Sequence, residues 1–208
     1  LTVGSLDNFD PELNNLGQIA YQCETAAGPP QICVVNFDGS GRTQLTFDPD
    51  GFIDPELNDL GVISFGCFDN IGDDEICAMD FDGMGFAQLT DSDCCTDFYN
   101  PEMNQFGNIA FFCDFFGPPP PPTPGSSPIQ SCVIDTDGGS FRVTPDTLLP
   151  LNVLLLDIEY SGTLIAAVCD VITGLPPGNI EVCLYDDNAM FFTQLTSGAA
   201  DIEDVAIR

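Results

Sequence analysis

"GQIAYQCETAAGPPQICVVNFDGSGRTQLT", residues 17–46, and "GVISFGCFDNIGDDEICAMDFDGMGFAQLT", residues 61–90, share one design. Each carries two cysteines ten positions apart, an Asp-Gly pair and a closing Gln-Leu-Thr. Directly upstream stand "DPELNN" from Asp10 and "DPELND" from Asp54. "NPEMNQ" from Asn100 and, more loosely, "DIEYSG" from Asp157 extend the series to four units, whose starts lie 44, 46 and 57 residues apart. The long third interval contains one insertion, "GPPPPPTPGSSP" at 117–128. A unit recurring at this period signals a repeat architecture, in which each copy buries its faces against its neighbours.

Within a unit apolar and polar residues alternate, and Gly, Asp-Gly and Pro clusters interrupt the alternation every eight to twelve residues. That pattern predicts four short antiparallel strands, in the first unit near 10–14, 17–24, 31–37 and 42–46. No helical period survives. The expected fold is all-β: a β-propeller of four four-stranded blades, at about 8–46, 52–90, 98–144 and 155–196, with an extra C-terminal strand near 200–207.

The repeat "DPxLNxxGxIAxxC…QICVVNFDGSGRTQLT" resembles the TolB-type propeller repeat, a relative of WD-repeat blades, over essentially the whole chain. The resemblance implies a Pro-containing inner strand, a glycine turn and an Asp-Gly, Leu-Thr ending to each blade. It implies no single function, because such propellers serve as scaffolds, adaptors, protease gates and lyases. The chain departs from the family in three ways: four blades are few, cysteine is not part of the family repeat, and Leu13, Leu57 and Met103 replace an inner-strand aromatic.

In each unit one cysteine ends the second strand and the other opens the third. Facing Cβ atoms on adjacent strands lie ~4.5–5.5 Å apart, near disulfide reach. This predicts four staples, Cys23–Cys33, Cys67–Cys77, Cys113–Cys132 and Cys169–Cys183, each worth roughly 2–3 kcal/mol by loop entropy. Cys94 and Cys95 fall outside the scheme, either bridged to each other or linking neighbouring chains. Thiolate metal sites are the weaker reading, since no Cys-x-x-Cys and no histidine occurs. Ten cysteines without metal motifs point to an oxidising compartment, hence a secreted or cell-surface protein. The opening at Leu1, with neither an initiator Met nor a leader pattern, reads as a processed mature chain or as part of one.

Thirty-three Asp and Glu against three Arg and no Lys give a net charge of −30. That balance disfavours nucleic acid, which needs a basic footprint, and anionic membrane surfaces. The longest apolar run, "LLPLNVLLL" at 148–156, is too short to span a bilayer. It is expected instead to plug the underside of the propeller or to make a subunit contact through Leu148, Leu149, Leu151 and Leu154.

The innermost strand of a blade faces the central channel. Glu12, Glu56, Glu102 and Glu159 occupy equivalent places there, with Asp10, Asp54, Asn100 and Asp157 beside them. Two carboxylates 8 Å apart repel by about 2 kcal/mol at an effective dielectric of 20, so a converging ring raises pKa values or recruits a hard cation such as Ca²⁺. The alternative is that these side chains point to solvent at the channel mouth. A second acidic cluster, Asp48, Asp50, Asp54 and Asp59, surrounds a glycine turn without EF-hand spacing. The Asp-Gly pairs at Asp38, Asp82 and Asp137 suit hairpin turns.

Without histidine or lysine the usual catalytic bases are missing, and no organic cofactor is expected. The proline-rich insertion reads as a polyproline II projection, either tolerated surface or a partner- or sugar-bearing element on Thr123, Ser126 or Ser127. Asp201, Ile202, Val205 and Ile207 form a strand with no blade of its own, which either closes the ring or pairs with a second copy. The leading expectation is therefore a secreted structural subunit of a cation-bridged filament or surface layer. A monomeric binding module for glycan or a cell-surface protein is the competing one, and a polysaccharide-acting enzyme ranks last.

Overall fold

In a computed structural model, residues 7–26, 28–69, 72–91, 96–115, 129–143, 153–161, 164–171, 179–186 and 191–194 are described. They form sixteen strands and, among them, no helix. The first sheet contains β1 (Asn8–Leu13), β2 (Gln18–Thr25), β3 (Gly28–Asn36) and β4 (Thr43–Gln44). The second contains β5 (Ile53–Leu57), β6 (Val62–Phe68), β7 (Asp74–Asp80) and β8 (Ala87–Gln88). The third runs through β9 (Thr96–Met103), β10 (Asn108–Phe115), β11 (Ile129–Asp135) and β12 (Arg142–Val143). The fourth runs through β13 (Val153–Ser161), β14 (Leu164–Val171), β15 (Asn179–Asp186) and β16 (Phe191–Gln194).

Every sheet is an antiparallel meander in chain order. The first strands β1, β5, β9 and β13 touch one another in sequence, so they form the inner edges, and the two- to four-residue fourth strands lie outermost. Proline is tolerated in the inner strand because an edge strand leaves one side of its backbone unpaired. Pro11, Pro55 and Pro101 sit at a break in the ladder to the next strand, between Phe9 and Glu12, Ile53 and Glu56, and Tyr99 and Glu102.

Alternation gives each of the first three sheets two buried faces. Ile63, Phe65, Cys67, Cys77 and Met79 of the second sheet pack on Ala20, Ile32 and Val34 of the first. Ile109, Phe111, Cys113, Cys132 and Ile134 of the third pack on Ile76 of the second. In the second and third blades the sulfur-bearing face therefore meets the preceding blade. In the first sheet the same face, with Tyr21, Cys23, Cys33 and Val35, is also buried.

Three of the expected disulfides are formed, with Cα separations of 5.8 Å for Cys23–Cys33, 5.9 Å for Cys67–Cys77 and 6.0 Å for Cys113–Cys132. They do not join facing residues as expected. Cys23 faces Gln31 and Cys33 faces Tyr21, so the bridge runs diagonally, as it does for Cys67 opposite Glu75 and Cys113 opposite Gln130. Strand twist draws one diagonal of the ladder together, which brings the pair within bridging distance. The fourth sheet repeats the backbone register, with Cys169 opposite Glu181 and Cys183 opposite Ala167, while their side chains lie outside the described residues.

The apolar run needs correction. It does not stay between blades: Leu154 is in β13, opposite Asp170, because the inner strand of the fourth sheet begins at Val153. Leu148, Leu149 and Leu151, the insertion at 117–128, Cys94, Cys95 and the strand expected at Asp201, Ile202, Val205 and Ile207 lie outside the described residues.

Candidate functional site

The break in each inner strand fixes the local chemistry. Asp10, Asp54 and Asn100 adopt left-handed backbone angles, with φ of 48°, 51° and 52°. Asp and Asn tolerate this region better than other side chains with a Cβ, so the repeated Asp/Asn-Pro pair has a structural reason at this position. Two residues on, the ladder resumes, and the glutamates share one register: Glu12 opposite Ala20, Glu56 opposite Ser64, Glu102 opposite Ala110 and Glu159 opposite Ala166.

Three blades together line an open-mouthed cavity of about 280 Å³, bounded by Asp10, Glu12, Asp54, Pro55, Glu56, Asn100, Pro101, Glu102 and Phe112. Five carboxylates and one amide thus face a common space, and the buried ring of Phe112 contributes an apolar wall. Burial pushes the Asp54 carboxyl above its usual value, and the charge of Asp10 adds to the shift. The Asp54 backbone N–H donates to Gln22 Oε1 at 3.4 Å, joining the second blade to the first beside the cavity. Among the described residues no three His, Cys, Asp or Glu side chains close tightly enough on one point to chelate a bare ion. The cavity is instead roomy, equal to about nine water volumes at ~30 Å³ each.

The carboxylates of the acidic stretch 46–59 fall in separate settings. Asp54 enters the axial cavity. Asp48 Oδ1 accepts from the Asp50 backbone N–H, closing a local turn away from it. Asp59 accepts two bonds from Asn15 in the neighbouring blade, which hold its carboxyl below the usual range. Asp38, Asp82 and Asp137 accept from the N–H two residues on, in the β3–β4, β7–β8 and β11–β12 turns. The side chains of Asp157 and Glu159 lie outside the described residues.

A reading centred on carboxylates passes over the residues that order the repeat. Asn14, Asn58 and Asn104 are buried and recur in "ELNN", "ELND" and "EMNQ", a signal present in the sequence. Glu75 is fully buried and accepts from the Thr90 hydroxyl, which itself accepts from the Ile76 N–H. In the first blade Gln31 stands in its place, donating to the Asp48 carbonyl at 2.6 Å and accepting from the Asp48 N–H.

No protein-family profile matches the chain, and no curated protein matches it in sequence. Its shape, however, is shared with solved structures. TolB from Acinetobacter baumannii superposes with a TM-score of 0.64 at 20% identity, over 96% of this chain and 46% of that one. The fold is a β-propeller of the TolB kind. An oligogalacturonate lyase in complex with manganese gives a TM-score of 0.67 at 9% identity, over 93% of this chain and 54% of that one. The propeller domain of the Trilobed protease from Pyrococcus furiosus, described as having an open velcro topology, gives 0.62 at 11% identity, over 92% and 57%. The chain thus spans about half the length of these relatives. Because they include a lyase and a protease domain as well as TolB, the shared fold assigns no activity by itself.

Proposed function

We propose that the protein is an extracellular, disulfide-braced propeller acting as a binding scaffold, whose axial cavity holds a hydrated cation, with Ca²⁺ the best fit. One observation carries this reading: five carboxylates from three successive blades line a single cavity with no positive side chain among them. Such a concave, single-signed wall focuses the field and raises the local cation concentration. Hard divalent ions prefer oxygen donors, and the spacing leaves room for an ion that keeps part of its water shell. Three buried disulfides suit an oxidising medium. Among the described residues the lining offers no thiol, imidazole or amine, which favours binding over nucleophilic turnover.

Calorimetric titration of CaCl₂ into the metal-stripped protein tests the reading, with Glu12→Gln/Glu56→Gln/Glu102→Gln as the comparison. Saturable heat that this variant loses supports the axial site. Equal heat in both proteins defeats it. The same carboxylates serve a structural subunit of an extracellular assembly if the cation bridges two copies, and sedimentation with and without EDTA separates the cases. Species that shrink on chelation indicate assembly, and a constant monomer indicates the module.

A further inference from the structure

The turns joining β1 to β2, β5 to β6 and β9 to β10 each hold a large apolar side chain out in solvent. Leu16, Leu60 and Phe106 are 65%, 69% and 64% exposed. Their backbones are nonetheless fixed from below. The buried Asn14 Oδ1 accepts from the N–H groups of Leu16 and Gln18, Asn58 Oδ1 from Leu60 and Val62, and Asn104 Oδ1 from Phe106 and Asn108. Neighbouring turns are also tied together. Asn14 Nδ2 donates to the Asn58 carbonyl at 3.0 Å, and Asn58 Nδ2 contacts Met103 Sδ at 3.6 Å. The three apolar residues therefore form a preorganised row that follows the order of the blades.

The β3–β4 and β7–β8 turns lie on the same face, because the Phe37 N–H donates to Gly17 O and the Phe81 N–H to Gly61 O. They add Phe37 and Met84, 68% and 65% exposed. Single exposed apolar residues are ordinary on protein surfaces. Turn positions, however, normally take Gly, Pro, Asn, Asp or Ser, and here five large apolar residues share one face, three of them, Leu16, Leu60 and Phe106, at equivalent positions of the repeat.

The charge around them selects the occupant. Asp38, Asp82 and Asp137 are exposed in the β3–β4, β7–β8 and β11–β12 turns, and Asp59 precedes Leu60. A second copy, with its own net charge of −30, would bring like charges face to face, as would an anionic bilayer. We propose that this turn face docks a protein partner whose contact surface is basic and apolar. The Leu16, Leu60 and Phe106 row takes up the partner's apolar side chains, and the aspartates steer and align its positive charges. The inference does not depend on the axial cavity.

The test uses fluorescence anisotropy at about 0.15 M salt, where screening over ~8 Å suppresses diffuse attraction. The probes are a synthetic Lys/Leu amphipathic peptide, a Lys/Ser peptide of equal charge and a Glu/Leu peptide. The expected result is that the Lys/Leu peptide binds at least about tenfold tighter than either other. Leu16→Ser/Leu60→Ser/Phe106→Ser should lose at least about tenfold, an energy of ~1.4 kcal/mol. Phe47→Ser, which lines a separate pocket with Thr25 and Gly28 at the β2–β3 end, should bind as the parent does. The substituted side chains are exposed, and circular dichroism with disulfide mapping verifies that the triple variant folds. Equal binding of the Lys/Ser peptide, or unchanged binding by the triple variant, overturns the proposal. So does concentration-dependent self-association that the triple substitution abolishes, because it assigns the face to a second copy.

Discussion

Asn15 donates to both carboxylate oxygens of Asp59, 44 positions along the chain, from its backbone nitrogen at 2.8 Å and its side-chain nitrogen at 2.6 Å. One repeat thus grips the next through side chains displayed at the same turn. Charge-assisted bonds of this kind favour the ionised acid, and the Asp59 carboxyl is held below its usual range by them. For an acid whose folded pKa is lowered, the stabilisation is present above the unfolded pKa and disappears as pH falls through the folded one. Asp59→Asn should lower the melting temperature at pH 7 and narrow the gap to wild type at acid pH. Parallel melts from pH 7 to pH 3 measure this, and a gap that widens on acidification contradicts it.

Ser64 stands where the other blades carry Ala20, Ala110 and Ala166, fully buried and with no hydrogen-bond partner for its hydroxyl oxygen among the described residues. A buried unsatisfied hydroxyl costs about 1–3 kcal/mol. Ser64→Ala should therefore raise stability by about 1 kcal/mol, or roughly 2–4 °C in melting temperature for a chain of this size. Chemical denaturation gives the value directly, and destabilisation would show that the hydroxyl is satisfied.

Glu75 puts a carboxylate in the fully buried position that Gln31 fills in the first blade. An amide fits the same volume and can both donate and accept, as Gln31 does with Asp48. Glu75→Gln should be neutral to stabilising at pH 7, whereas Glu75→Ala should cost about 2 kcal/mol or more through a cavity and an orphaned Thr90 hydroxyl. Equal losses in both variants would mean that the carboxyl group itself is required.

Asp54→Asn removes a carboxyl that burial and Asp10 both disfavour as an anion. With its folded pKa raised, ionised Asp54 opposes folding as pH rises through that value, so the variant should be more stable than wild type in metal-free buffer at pH 7. Asn100 shows that an amide suits the left-handed backbone at this site. The same change should weaken Ca²⁺ binding. Wild-type affinity should also fall on acidification at a higher pH than an ordinary aspartate would give. Melts and titrations with and without Ca²⁺ distinguish these effects, and a variant that loses stability without gaining it anywhere refutes them.

Much of this fold was legible in the repeat. Alternation located the strands to within a few residues, and the recurring cysteines gave the three bridges, because strand period and hairpin order are set by local sequence. The diagonal register was not legible, since it depends on twist, which side-chain identity does not encode. The axial carboxylates were legible as equivalent positions, but their Asp/Asn-Pro spacing had a second cause in the left-handed bulge at Asp10, Asp54 and Asn100. Asn14 and its equivalents were hidden by chemistry rather than by pattern. An asparagine in a turn reads as solvated, and only the packing of adjacent blades reveals that it is buried and spans two of them.

The most direct test of the account is anomalous diffraction from crystals grown with a lanthanide ion as a heavy stand-in for Ca²⁺. The account predicts an ordered peak within the axial cavity, between the inner strands that carry Glu12, Glu56 and Glu102, and its loss in the triple glutamine variant. Peaks confined to outer turn carboxylates such as Asp38 and Asp82, with the axial cavity empty at saturating ion, would contradict it.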